Sequence, residues 1–308
     1  MKNELRALIG EFPASESGFR KRMRFHQGWW RTFVLAKEEG NHPIKKEKKV
    51  CNTILHGQTN QKNFLSPGIA AVVLQTIQER KSASKGILEE DRLYNNLLSS
   101  QPLCFNFFDE LKIDTNFALA VLKQFWSELT QVKRVIFEFA PPKNYTGDNS
   151  AFDVAFEVMA GNKKGLIGLE CKYTDTFSHT EYDKSEYRQI FVQSGDRIFN
   201  AKYENFNTAR FNQLFRNQLI ATASLQSREY AFVYTGLFCH QDDKSALQTS
   251  TEFQGMIKND DNLFQVITYQ DFITKIQRLP LSWKQRELSM LLWARYCSTQ
   301  LSEQVFQC

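Results

Sequence analysis

The sequence predicts an α/β protein: a mixed β-sheet core in the order helix, three strands, helix, strand, flanked by further helices. Three observations predict it. Apolar residues recur at helical spacing as far as Thr130. The period then falls to two in successive segments between Arg134 and Tyr173. Short strand-like runs return after a long helical stretch.

The elements follow in order. Arg20, Arg24, Gln27 and Arg31 fall at helical spacing and share one helix face, with Trp29 and Trp30 beside them as core aromatics. A Lys-rich loop (Lys45, Lys46, Lys48, Lys49) comes next. Pro67-Gly68 opens an apolar helix over 69–80, and residues 82–86 read as a connector. Residues 88–99 read as a helix whose first turn carries Glu89, Glu90 and Asp91, where acids suit the helix dipole. Asp114 or Thr115 caps a helix over 116–130. Residues 134–140 and 151–159 are strands, 161–165 is turn chemistry, and 166–173 is a third strand forming an antiparallel hairpin with the second. A helix over 211–225, strands at 230–237 and 263–268, and a C-terminal helix over 283–301 complete the chain. Three segments result: a basic, mostly helical extension at 1–85, the core at 86–275, and a C-terminal helix at 276–308 packed on that core.

Charge is unevenly placed. The net charge is +5, but residues 1–88 hold 16 Lys and Arg against 7 Asp and Glu, a balance of +9, which leaves 5 − 9 = −4 for the remainder. The basic third points to a polyanion partner, with Arg20, Arg24 and Arg31 as contacts to its backbone, and the acidic remainder to a cation site. Apolar residues at 42% allow a proper core. The six cysteines, at 51, 104, 171, 239, 297 and 308, include no C-x-x-C pair and are expected as free thiols of a cytoplasmic protein. Residues 1–12 lack the apolar core of a signal peptide, and the apolar run 69–74, which none exceeds, is far below the ~20 residues that span a bilayer. No phosphate-binding G-x-x-x-x-G-K-[ST] loop occurs. The histidines at 26, 42, 56, 179 and 240 show no metalloprotease spacing, and His179 reads as structural or surface.

The chemistry concentrates in Gly147-Asp-Asn-Ser-Ala-Phe-Asp153 and Gly165-Leu-Ile-Gly-Leu-Glu-Cys-Lys172. Residues two apart on a strand face the same way, so Glu170 and Lys172 project together while Ile167, Leu169 and Cys171 point into the core. Asp153, with Phe152, Val154 and Phe156 on its apolar side, falls beside them if the strands pair across the turn. Asp153, Glu170 and the Cys171 carbonyl would then offer hard oxygen ligands to Mg2+, or Mn2+ in its place. Such an ion lowers the pKa of a bound water and neutralises charge on a phosphodiester, and Lys172 would position or deprotonate that water. Gln213 and Arg216, three apart on the helix after the hairpin, are candidate DNA contacts.

These residues resemble the PD-(D/E)XK superfamily of restriction-endonuclease-like nucleases. Together with Glu89 to Phe108, Phe137-Glu-Phe-Ala-Pro141, Tyr145 to Asp153 and Gly168 to Tyr173, they are similar to a group of bacterial restriction-type endonucleases, over residues 20–275 and most specifically 88–175. The resemblance implies DNA phosphodiester hydrolysis with Mg2+. It also implies an acid on the first core helix that assists the metal; Glu90 is carried over for that role, with Glu89 its competitor. The Pro-Asp pair of the superfamily name is absent, since Phe152 precedes Asp153, and this leaves Asp148 as a rival ligand. Cutting both strands of a duplex would call for a two-fold homodimer. A non-catalytic DNA-binding module of the same fold, an RNA nuclease and a structure-selective repair nuclease stay open as alternatives.

Overall fold

The computed structural model describes residues 2–10, 16, 18–43, 45, 47–83, 88–177, 180–258 and 263–306. Lys46, His179, Cys308 and the 84–86 part of the connector lie outside them.

Two sheets form. A small antiparallel hairpin pairs β1 (Glu39–Asn41) with β2 (Lys49–Ile54), where a Lys-rich loop alone was expected. The central sheet has five strands in the order β3 (Gln131–Phe139), β4 (Phe152–Ala160), β5 (Lys163–Lys172), β6 (Phe232–Cys239) and β7 (Phe264–Thr268). β3, β4 and β5 are an antiparallel meander, and β6 and β7 join parallel to β5. The β4–β5 turn is tight: Ala160 already pairs with Lys163, and Gly161 adopts φ +56°, which a residue with a Cβ rarely takes. A parallel neighbour requires a long crossover, and the Asn212–Gln226 helix lies within the one from β5 to β6.

Helices cover both faces of the sheet. Ser100–Ile113 packs against β3, β4 and β5. Phe107 and Phe108 of this helix meet Phe238, Phe272 and Phe156 in edge-to-face rings. On the other face, Leu214, Phe215, Leu219 and Ile220 of Asn212–Gln226 bury against Leu166, Leu237 and Val233. Met23, Phe64 and Ile69 near the N-terminus and Leu292 and Tyr296 near the C-terminus belong to the same apolar cluster as Phe156 and Leu169.

The helix expected over 88–99 is only Glu90–Asn95, and the long first core helix is Ser100–Ile113. Short polar side chains explain the break. Asn96 is extended and its Oδ1 accepts from the Leu98 N–H at 3.0 Å, an alternative to helical bonding. Ser99 then caps a new helix by accepting from Gln101 N–H, with Pro102 tolerated in its first turn. Asp114 caps the next helix through the amides of Asn116 and Phe117, as expected, but that helix ends at Leu122 rather than at 130. Among the described residues no helix is long and apolar enough to cross a membrane, and Cys51, Cys104, Cys171, Cys239 and Cys297 are free thiols.

Candidate active site

Strand register builds the site. Phe137 pairs with Val154 and Phe139 with Phe152, which sets Glu138 beside Asp153; Val154 pairs with Leu169, which sets Asp153 beside Glu170. Three carboxylates thus sit at adjacent positions on three strands. Val154, Phe156, Ile167, Leu169 and Cys171 bury in the opposite face. Phe152 departs from the expected alternation: its ring lies over Gly168, where an added Cβ would come within 2.5 Å of it, so this approach requires glycine. The alternation breaks at Glu138 too, which holds φ +51°, a costly conformation for a residue with a Cβ. Phe137 and Phe139, two apart, consequently enter different apolar clusters.

Glu170 and Lys172 are 4% and 6% exposed and form an ion pair, Nζ to Oε1, of 3.3 Å. Burial of that kind demands hydrogen-bond partners, and the Asn212–Gln226 helix supplies them. Gln213 donates from Nε2 to Glu170 Oε1 and accepts from Lys172 Nζ at 2.8 Å, and Asn217 donates to Glu170 Oε2 at 3.0 Å. Lys172 Nζ also lies 5.2 Å from the Phe177 ring centroid, and the Lys172 carbonyl accepts from the Tyr269 hydroxyl. Asp153 Oδ2 accepts from the Cys171 N–H at 2.6 Å.

The row carries more negative charge than its surroundings balance. Burial, then the charges of Glu170 and Glu138, push the Asp153 carboxyl well above the usual range. Burial and Glu170 push Glu138 up to about 8, against the opposing pull of Arg80 and Arg92. Among the described residues no group of three His, Cys, Asp or Glu side chains is spaced to hold a metal ion as it stands. The donor set nevertheless fits a hard divalent cation in charge and ligand type, with the Glu170 and Asp153 oxygens satisfied here by amide donors. Sequence reasoning missed Glu138; the one acid between Phe137 and Phe139 in an apolar strand was the available signal.

A cavity of about 560 Å3 opens over this row, lined by Glu138, Glu170, Tyr182, Gln213, Arg216 and Asn217 among others. Arg216 donates to Ser150 Oγ at 3.0 Å and lies 3.5 Å from Asp148 and 4.8 Å from the Tyr182 ring centroid, while its Nε has no partner. Asp148, the rival ligand, sits in the cavity wall rather than in the row. Burial opposes its ionisation, but hydrogen bonds from Tyr187, Ser150 and Thr146 outweigh this and hold its carboxyl below the usual range.

Other expected site residues lie elsewhere. Glu90 pairs with Lys81 at 2.5 Å and accepts from Gln58, Glu89 lies 3.9 Å from Arg92, and neither lines the cavity. Arg24 and Arg31 do share a helix face, Gly18–Trp29 continued by Trp30–Val34, but that face is turned inward. Arg24 is bound by Glu16 and Asn52, and Arg31, 3% exposed, donates to the carbonyls of Cys51, Lys37 and Ile9. Neither is free to contact DNA. The face packs against β2, where the Cys51 carbonyl and the Asn52 side-chain oxygen accept from these arginines. Arg20 alone of the three stays half-exposed, 3.0 Å from Glu16. Gln213, expected at DNA, is instead spent on Glu170 and Lys172.

A family model of the PD-(D/E)XK nuclease superfamily matches residues 14–298. No curated protein and no solved structure matches the chain. The matched span encloses the sheet, the helices on both its faces and every residue of the carboxylate row: the chain belongs to the PD-(D/E)XK nuclease superfamily.

Proposed function

We propose that the protein is a Mg2+-dependent endodeoxyribonuclease of restriction type. The observation that carries this is the buried Glu170–Lys172 pair, gripped by Gln213 and set beside Asp153 and Glu138 by strand register, with Glu138 and Glu170 facing one cavity. Nucleases of the superfamily typically use divalent metals, and Glu138, Asp153 and Glu170 are the residues that would hold one. When bound, Mg2+ supplies a water of lowered pKa and neutralises charge on the phosphodiester.

The chain's own residues do the rest. Gln213 and Asn217 fix the rotamer of Glu170, so its carboxylate is pre-set rather than ordered at each turnover. Lys172 keeps an ammonium beside that carboxylate, where it can donate to the attacking water or to a non-bridging phosphate oxygen as charge builds. Arg216, anchored through Ser150, presents a fixed guanidinium to the phosphate. Hydrolysis joins the water oxygen to phosphorus, breaks the P–O bond to the leaving ester oxygen and leaves a proton on that oxygen.

The test is incubation of the purified chain with supercoiled plasmid and genomic DNA in Mg2+, with EDTA and Glu170→Ala as controls. Cleavage by the wild type in Mg2+ alone supports the reading. Wild-type-like cleavage by Glu170→Ala, or no cleavage of any DNA, overturns it.

A further inference from the structure

We propose that the cavity over the carboxylate row admits one DNA strand at a time, with the base of an unpaired nucleotide stacked on Tyr182 and its phosphate at Arg216. This rests on the nuclease reading alone, not on its restriction type, and assigns single-stranded or locally unpaired DNA as the substrate.

The shape of the cavity comes first. Its volume of about 560 Å3 falls within the ~300–1,000 Å3 of pockets that enclose a small molecule. Its two walls are tied to each other. One is the loop around Asp148, held by Tyr187 and Arg216; the other contains Tyr182 and Lys184, and Lys184 Nζ donates across to the Gly147 carbonyl. The second wall is pinned from below, because Asn212 donates to the Tyr182 carbonyl at 2.9 Å and the Ala209 N–H to Glu181 at 2.9 Å. A base inside a duplex is already stacked, so only an unpaired or extruded base can stack on Tyr182.

The lining then suits a nucleotide. Tyr182 is 41% exposed, an aromatic residue in a cavity lined also by the amides of Asn144, Asn149 and Asn217 and by the acids Glu138, Asp148 and Glu170. The Arg216 guanidinium, 4.8 Å from the ring centroid and 3.5 Å from Asp148, braces the ring and sets a cation in the same cavity wall for a phosphate. Every base has a π-face, so stacking here asks for no particular sequence, and the amides can meet base edges.

The experiment compares binding of a short labelled single strand, and of its duplex, by the full chain in Ca2+ without Mg2+. A second single strand carries 2-aminopurine, whose fluorescence is quenched by stacking. The wild type should prefer the single strand by about tenfold or more and quench the probe. Tyr182→Ala should weaken single-strand binding about 5- to 100-fold and abolish quenching, while Tyr182→Trp retains both. Tight duplex binding by the wild type, with no quenching and no effect of Tyr182→Ala, overturns this inference and leaves the nuclease reading standing. A wild type that retains neither polymer and cuts neither overturns both. Should Tyr182→Ala fail to fold, the wild-type preference and quenching decide alone.

Discussion

Removing the Gln213 amide tests whether the Glu-x-Lys pair is positioned for chemistry or is simply a buried ion pair. In Gln213→Ala, Glu170 loses one donor and Lys172 one acceptor, but Glu170 keeps Asn217 at 3.0 Å and the two charges keep each other at 3.3 Å. A hydrogen bond to a charged group contributes roughly 1.5–3 kcal/mol. Because both charges stay paired, the stability loss should lie near the lower end of that range, a Tm fall of a few degrees for a chain of this size. Activity should suffer more. Loss of a group that orients a site residue typically costs about 10- to 100-fold, and a displacement of about 1 Å about 100-fold. The assay is the initial rate of plasmid nicking at saturating Mg2+ beside a calorimetric melt, with kcat and KM separated. The loss should fall in kcat. A wild-type kcat with raised KM would mean that Gln213 contacts DNA after all, and a rate unchanged in both would refute the positioning role.

Asp153→Ala, Glu170→Ala and Lys172→Ala should each abolish cleavage with the circular dichroism spectrum retained; residual wild-type-like rates in any of them would remove that residue from the site. Mg2+ or Mn2+ should support cleavage and Ca2+ support DNA binding with little cleavage, whereas activity that survives exhaustive chelation would exclude a metal-dependent mechanism. Glu138 ionises near 4.5 when unfolded and near 8 when folded, so without metal its contribution to stability is present below about 4.5 and is lost as pH rises to 8. Added Mg2+ should therefore raise Tm more at pH 8.5 than at pH 6, and Glu138→Gln should flatten that difference; an equal Mg2+ shift at both pH values would place Glu138 outside the metal's reach. Arg31→Ala strands three carbonyls, at roughly 1–3 kcal/mol for each that stays unsatisfied. It should lower Tm by roughly 5 °C or more while the salt slope of DNA binding holds, and a flattened slope in a folded variant would restore Arg31 as a phosphate contact.

The parts of the fold that were legible are those where period and local chemistry agree. The β4–β5 hairpin showed itself through alternation and Gly161 in its turn, though Gly165, expected in that turn, lies within β5 opposite Val158; the Glu170–Lys172 face showed itself through the apolar residues that interleave it. The first core helix was not legible because its sequence is apolar on most sides, with Leu103, Cys104, Phe105, Phe107 and Phe108 all buried, so no amphipathic stripe marks it. Glu138 escaped for a different reason. Its side chain joins Asp153 only through cross-strand register, and its φ of +51° breaks the alternation that would have placed it. The first-helix acid went to Glu90 by resemblance, where the row takes its third carboxylate from β3.

The basic N-terminal third shows why a charge balance read from sequence overstates the field at the surface. An arginine brings five donors in a rigid fork, which makes it suited to collecting carbonyls that secondary structure leaves unpaired. Arg31 does this for three backbone carbonyls between Ile9 and Cys51, and the fully buried Arg295 does it for Asn63, also donating to Gln27. Gln27 in turn donates to the Arg295 carbonyl and to the Tyr173 hydroxyl, one residue beyond Lys172. The polar face of the Gly18–Trp29 helix is thus a clamp joining the β1–β2 hairpin, the end of the site strand and the Trp283–Tyr296 helix, where one helix over 283–301 was expected and a separate one, Gln300–Phe306, follows. Charges spent in this way cannot release counterions from DNA. On the proposed reading, substrate contact would fall instead to Arg216, which lines the cavity beside Asp148 and Ser150, so affinity and chemistry would draw on the same few residues of the Asn212–Gln226 helix.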